Sequence, residues 1–245
     1  MRILRNSGSD RVVDLLRPAL QPGTQLDIVT PDFSLFAFAE LQQELSRIGG
    51  MRLVLPEGSE QAELLGCSAD RGARNRLQSR WLARQCAAWL TQKASIRYAT
   101  GAIPQGTAVV RDSGSVPTQV VLGSFAFSTQ GLGLTPGNPL SLIQASEGQV
   151  ESRALSGWFD SLWSTLPTRE AATSSVLGHL EAIASMRSPR ELYALILHHL
   201  FGTRGDELDE ERVLKSATGI RRTVVWQKLY KFQRDGVVGA IDKLN

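Results

Sequence analysis

The side chains in the first half of the chain that could take part in chemistry lie in two short segments, residues 105–112 and 123–128. They read Gln-Gly-Thr-Ala-Val-Val-Arg-Asp and Gly-Ser-Phe-Ala-Phe-Ser, so they offer amide, hydroxyl and carboxylate groups. Covalent attack near neutral pH needs a stronger nucleophile such as imidazole, and an amide is not nucleophilic. The chain's three histidines, His179, His198 and His199, all lie beyond residue 178. The two segments therefore predict a polar site without a nucleophile.

The spacing of these segments resembles that of the phospholipase D superfamily, which carries His-x-Lys-x4-Asp and then a Gly-Ser-x-Asn-like segment on two adjacent strands. The family's His, Lys, Asp, Ser and Asn positions are occupied here by Gln105, Thr107, Asp112, Ser124 and Ala126. In the family the histidine attacks phosphorus, and the lysine and asparagine hold the phosphate oxygens. The resemblance covers about residues 1–167 and implies a mixed sheet between helices. It also implies that phosphohydrolase activity is lost, because these groups are replaced.

Strand and helix patterns alternate around the two segments, which predicts a layered α/β domain. The helical period after the first strand predicts a helix with Asp32 or Ser34 as its N-cap. The expected strands are 25–31, 51–55, 95–98, 106–111, 118–123 and 140–145, and the expected helices are 32–48, 70–93 and 150–165. This order agrees with a phospholipase D-like domain.

The net charge is only +3, but the cations are unevenly distributed. Residues 71–97 hold no acidic residue and seven basic ones, namely Arg71, Arg74, Arg76, Arg80, Arg84, Lys93 and Arg97. Because Arg76, Arg80 and Arg84 recur every four residues, a helix aligns them in one ridge. Much of the opposing apolar surface is expected from Leu77, Trp81, Ala88 and Trp89. The ridge is either a solvated face or, in a phosphodiester-binding fold, a surface for the DNA backbone, with Arg71 and Arg74 as further predicted DNA contacts.

The 245 residues, 42% of them hydrophobic, suffice for one large domain or one domain with an appendage. The sequence shows no apolar run of transmembrane length and no signal peptide. Cys67 and Cys86 have no metal-ligand spacing, so we expect reduced, packed thiols in a cytoplasmic protein without a metal site.

Beyond Pro167 the pattern becomes helical, with helices expected at 169–186 and 189–201. His198 and His199 at the end of the second helix are expected to be surface or packing residues. Residues 212–245 are again basic, with eight Lys and Arg against two Asp. This change of composition predicts a second region with a different role.

Residues 226–237, Trp-Gln-Lys-Leu-Tyr-Lys-Phe-Gln-Arg-Asp-Gly-Val, resemble the start of a Snf-type superfamily 2 helicase core. There, Leu-x-Pro-Tyr-Gln-x-x-Gly-Val precedes the ATP-binding strand. The matching positions are Leu229, Phe232, Gln233, Gly236 and Val237, and Lys231 stands where proline is usual. The resemblance implies that Gln233 contacts adenine. No Gly-x4-Gly-Lys-Ser/Thr follows, so ATP and Mg²⁺ are expected only with a motor downstream of a truncated chain.

The sequence thus predicts three parts: a degenerate phospholipase D-like domain at 1–167, a helical linker at 168–204 and the start of a helicase motor at 205–245. The expected function is that of a non-catalytic, DNA-binding N-terminal region of a bacterial Snf-type helicase or translocase, in anti-phage defence or DNA repair. Its partners would be DNA and the downstream motor. The alternative is a protein-interaction or homodimerisation module that uses the face bearing Gln105, Thr107 and Ser124.

Overall fold

A computed structural model describes residues 1–57, 64–66, 70, 73–74, 78–167, 170–185, 193 and 223–244. The chain divides into two compact units, Met1–Met186 and Arg187–Asn245. Several predicted features lie outside the described residues, namely the helix at 189–201 apart from Tyr193, and with it His198 and His199, as well as Cys67, Arg71, Arg76 and Leu77.

The first unit is built on a seven-stranded mixed sheet of order β1-β7-β6-β5-β2-β3-β4. Its strands are β1 Arg2–Leu4, β2 Gln25–Val29, β3 Gly50–Pro56, β4 Ala94–Ala99, β5 Gly106–Arg111, β6 Pro117–Gly123 and β7 Ile143–Ser146. The adjacent strands β2, β3 and β4 are parallel, and all other neighbours are antiparallel. The predicted α/β class and all six predicted strands are confirmed, whereas β1 was not predicted.

Helices cover both faces of this sheet. They are α1 Val12–Ala19, α2 Leu35–Glu40, α3 Gln42–Arg47, α4 Ser79–Lys93, α5 Gln149–Thr165 and α6 Glu170–Ser185. Side chains alternate between the two faces along each strand. Ile28 and Leu53 belong to a large core shared with helices α1 to α4, whereas Val29 and Val54 pack against Phe159 of α5. Among the described helices of the first unit, α5 alone therefore covers the opposite face.

The single helix expected at 32–48 is instead two short helices that meet at Leu41. Leu41 has φ −104° and ψ 9°, away from α-helical values, and its side chain is fully buried. The hydroxyl of Ser34 accepts the backbone N–H of Phe36 at 3.2 Å. Ser34 rather than Asp32 is therefore the N-cap, which resolves the alternative that the sequence left open.

Helix α6 lies in the segment predicted as a linker, yet it packs on the first unit. Its Val176, Leu180 and Ile183 are buried in the large core, and Arg80 Nε of α4 donates to the carbonyl oxygen of Ala184 at 3.2 Å. The first compact unit consequently extends to Met186, some twenty residues beyond the boundary drawn from composition. The apolar face of α6 explains the difference, because it needs an apolar surface to cover it.

The described part of the second unit consists of α7 Val224–Lys228 and α8 Lys231–Leu244. Thr223 begins α7 as its N-cap, since its hydroxyl accepts the N–H of Trp226 at 3.2 Å. Trp226 is buried, and the Arg234 guanidinium lies over its ring at 5.9 Å. The segment expected to begin a helicase motor is therefore helical where it is described.

Cys86 of α4 is a packed thiol. It is fully buried, and burial raises the pKa of its thiol far above the ordinary value because a thiolate is poorly solvated in the core. In a Cys67→Ser variant, we expect Cys86 to resist a thiol reagent in the native protein at pH 8 and to react fully in urea. Rapid labelling of the native variant would contradict this placement.

Candidate nucleic-acid interface

Two of the motif positions meet at one end of the β5–β6 ladder. The last paired residues are Gly106 opposite Gly123, so Gln105 and Ser124 follow directly beyond that pair. Both are exposed, and Ala126 is half-buried just behind Ser124. Because β5 is antiparallel to β2, this end of the ladder lies at the carboxyl edge of the parallel strands, where α/β sheets bind their ligands.

Thr107 and Asp112 do not contribute to that exposed point. Thr107 is 1% exposed and lies opposite Val29, on the face covered by α5. Asp112 lies beyond the other end of β5, about 20 Å away for a six-residue strand. Its Oδ1 accepts the N–H groups of Gly114 and Val116, each at 2.9 Å, so it stabilises the hairpin turn. The two remaining reactive types, Asp112 and Ser124, therefore cannot act together.

The loop after Ser124 is hydrogen-bonded to Asp70, the residue before the basic stretch 71–97. The Phe127 N–H donates to the Thr30 hydroxyl at 2.8 Å, and the rings of Phe127 and Phe33 stack at 5.2 Å. The Thr129 hydroxyl then donates to the carboxylate of Asp70, which is buried. Asp70 directly precedes the acid-free stretch 71–97 in the sequence, so this hydrogen bond holds the residue before that stretch at the motif loop.

The cations of the basic stretch have different environments. Arg74 donates to the Leu65 carbonyl at 2.9 Å, Arg80 is bound to Ala184 as described above, and Lys93 donates to the Ile48 carbonyl at 3.1 Å. Arg84 is exposed on the outer side of α4. Within the part of the chain that the structure describes, it is the ridge residue most accessible to a polyanion.

The expected apolar surface opposite the ridge is wrong for two of its members. Trp89 is buried, and its indole N–H donates to the Leu45 carbonyl at 2.8 Å, but Trp81 is 53% exposed and Ala88 is exposed. The buried stripe of α4 is Leu82, Ala83, Cys86, Trp89 and Leu90. At 3.6 residues per turn this stripe leaves Trp81, Arg84 and Ala88 side by side on the outer surface.

An ion-pair network centred on the buried Asp27 links the sheet to α5, and it was missed at the sequence level. Arg52 binds both carboxylate oxygens of Asp27 at 2.6 and 2.7 Å, and Arg111 binds Asp27 at 2.7 Å. Both arginines also reach Asp160 of α5, each at 2.9 Å. The available signal was the presence of charges within strands that otherwise read as buried, since such charges are almost always paired.

Aromatic rings of α5 also contact arginines of the sheet. The Arg52 guanidinium lies 4.8 Å from the ring centroid of Phe159, and the Arg97 guanidinium lies 4.4 Å from that of Trp163. The pKa of Arg52 is raised, chiefly by its hydrogen bond to Asp27 and against the effect of burial. Arg97 also donates to the Leu166 carbonyl at 3.0 Å. We assign Arg97, one of the seven basic residues of the stretch 71–97, to the packing of α5.

A surface groove of about 650 Å³ lies elsewhere, around α3 and Arg17. Arg17 pairs there with Glu40 at 2.7 Å and Glu44 at 3.3 Å. The two carboxylates compensate its charge and would repel a phosphate. The groove is therefore a poor site for a nucleic acid.

Gln233, the expected adenine contact, has a local role in the second unit. Its Oε1 accepts the backbone N–H of Tyr230 at 3.0 Å, three residues earlier and at the start of α8. This is the reciprocal half of a capping box, in which the third helical residue satisfies the N-cap N–H. The cap uses only Oε1, so an adenine contact through the side-chain NH2 group of Gln233 would be compatible with this hydrogen bond.

No family model matches the sequence, and no curated protein matches it. Among solved structures, TrmBL2, an archaeal chromatin protein with a novel mode of DNA binding, is 10% identical with a TM-score of 0.37, and the match covers 69% of this chain and 54% of that one. Polyphosphate kinase from Porphyromonas gingivalis is 12% identical with a TM-score of 0.42, covering 88% of this chain and 31% of the kinase. The chain thus spans about half of one relative and a third of the other. Neither likeness is close enough to assign a family or a function.

Among the described residues, no group of three or more His, Cys, Asp or Glu side chains is arranged to hold a metal ion. Within those same ranges, no helix is both long and apolar enough to cross a membrane.

Proposed function

We propose that this chain is a non-catalytic nucleic-acid-binding region, built on a degenerate phospholipase D-like domain, that holds the DNA backbone for a helicase or translocase motor. The observation that carries the proposal is the acid-free basic stretch 71–97, whose exposed Arg84 lies on α4. Asp70, the residue before that stretch, is hydrogen-bonded to Thr129 of the motif loop. Polyanion binding needs accessible cations, and Arg84 is an exposed cation on a helix whose sequence contains no acidic residue.

The topology supports the same location. Helix α4 ends at Lys93, where β4 begins, and shares the core beneath β3 and β4. Its first turns therefore lie towards the carboxyl ends of those strands, the edge at which Gln105 and Ser124 are exposed. A backbone that lay along this edge would meet arginine without meeting a nucleophile, so it would be bound and not cleaved.

The motor part of the proposal rests on the Snf-type resemblance of residues 226–237. ATP and Mg²⁺ would bind in that motor, not in the first unit, and anti-phage defence or DNA repair would be its setting in the bacterial cytoplasm. The exposure of Tyr230 and Phe232, whose rings stack at 6.1 Å, is compatible with a surface that a further domain covers.

The test is a salt titration of binding to labelled DNA with an Arg84→Glu variant. Arg84 is preferable to Arg80, because changing Arg80 would also remove its bond to α6. We expect the wild type to lose at least about tenfold in affinity between about 50 and 200 mM salt, and Arg84→Glu to reduce the slope of that dependence by about 1.

The matched control is Arg153→Glu, which reverses an exposed arginine on α5, on the other face of the sheet. It should leave the affinity and the salt slope close to those of the wild type. Wild-type binding that hardly changes with salt, or equal losses in the two variants, would refute the proposed surface.

A further inference from the structure

The exposed indole of Trp81 is the feature of α4 that its packing does not explain. The helix buries Trp89. Trp81 lies two turns earlier on the outer side of the helix and is half exposed to solvent. Arg84 follows one turn after Trp81, so their side chains are neighbours. An aromatic face beside a cation is the combination that holds an unpaired base and its phosphate.

The charge around Trp81 favours an anionic partner over an apolar protein surface. Helix α4 contains Arg80, Arg84 and Lys93 and no acidic residue. Arg80 and Lys93 are bound to backbone carbonyls at the two flanks, which fixes the helix on the first unit. Among the described residues, Arg84 is therefore the accessible cation of the ridge, and it lies beside the indole.

We propose that Trp81 is a base-stacking residue for single-stranded nucleic acid, with Arg84 binding the adjacent phosphate. The inference rests on the proposed function and specifies its substrate class. In a duplex the base faces are stacked on one another and an indole on a rigid helix cannot reach them. In a single strand each base presents a face, so stacking adds affinity without demanding a particular sequence.

The experiment uses the full chain and three fluorescent probes of equal length: an oligo-dT strand, an abasic strand and a duplex. We expect Trp81→Ala to weaken oligo-dT binding by about tenfold or more, and Trp81→Phe to stay within about threefold of the wild type. The abasic strand and the duplex should bind Trp81→Ala as they bind the wild type, because phosphates alone do not use the indole.

The control is Trp158→Ala, which removes a half-exposed tryptophan on α5 and should leave all three affinities unchanged. Trp81 is a surface residue, so far-UV circular dichroism and the urea midpoint should also stay unchanged in its variants. Normal oligo-dT binding by Trp81→Ala, combined with weak binding by Arg84→Glu, would overturn the stacking role and leave the proposed function standing. Equal losses on all three probes would also overturn it. Failure of the wild type to bind any probe would overturn both.

Discussion

Replacing Asp27 by Asn is expected to lower the free energy of unfolding of the first unit by about 3–5 kcal/mol. The side chain of Asp27 is 1% exposed and that of Arg111 is 10% exposed. Removing the Asp27 charge leaves the Arg111 guanidinium buried with only the more exposed Asp160 as a counter-ion. Because a folded domain is stable by only about 5–15 kcal/mol, the loss should be visible as a large drop in the urea midpoint.

The measurement is urea unfolding followed by tryptophan fluorescence, since four of the five tryptophans lie in the first unit. Asp160→Asn is the control, because its side chain is 47% exposed and an exposed ion pair contributes at most about 1 kcal/mol. In the double variant Asp27→Leu/Arg111→Met neither buried charge remains, so part of the lost stability should return. Equal effects of Asp27→Asn and Asp160→Asn would show that the network is not buried as described.

The sheet could be predicted because its signal is local. Strand periodicity and turn residues recur within a few positions, so β2 to β7 and their alternation with helices follow from short windows of sequence. The adjacency of β5 and β6, on which the motif resemblance depends, follows from the short hairpin turn at residues 112–116. The same reasoning placed Gln105 and Ser124 together, as the structure does.

The orientation of α4 could not be predicted in the same way. Its apolar residues do not form a single stripe, because Leu82 and Trp89 lie on one side and Trp81 and Ala88 on another. Which side is buried is decided by Leu45, whose carbonyl binds Trp89, and by the surrounding core. Only the tertiary partners distinguish the two orientations, so the exposure of Trp81 had no local signal.

The ion-pair network shows a second limit of prediction from the sequence. Asp27 and Arg52 are 25 residues apart, and Arg111 is 84 residues from Asp27. Charged residues inside β2, β3 and β5 signalled that partners must exist, but not which ones. The pairing follows from strand order, and Asp160 follows from the path of α5 across the sheet.

Two residues of the sequence motif, Asp112 and Gly123, have a local structural reason for their residue type. Asp112 closes the hairpin turn, and Gly123 allows a backbone conformation that other residues rarely adopt. Local structure alone therefore accounts for both residues. Gln105 and Ser124, which follow the β5–β6 ladder, are exposed and have no such structural role.

Gly123→Ala is expected to destabilise the first unit by at least about 2 kcal/mol. Gly123 has φ +139°, in a region that strains any side-chain-bearing residue by about 1–3 kcal/mol. An added Cβ would also overlap the carbonyl oxygen of Leu142, the same carbonyl that accepts the Ser124 N–H at 2.9 Å. The change would force β7 away from β6, and overpacking of this kind adds a further penalty of about 1–3 kcal/mol.

The control for Gly123 is Gly157→Ala in α5, where an added Cβ meets nothing within 4 Å. It should stabilise the protein by about 0.5–1 kcal/mol, because alanine favours the helix. Ser124→Ala, which alters an exposed hydroxyl, should leave the urea midpoint nearly unchanged. If Gly123→Ala is tolerated as well as Ser124→Ala, the backbone does not require this glycine.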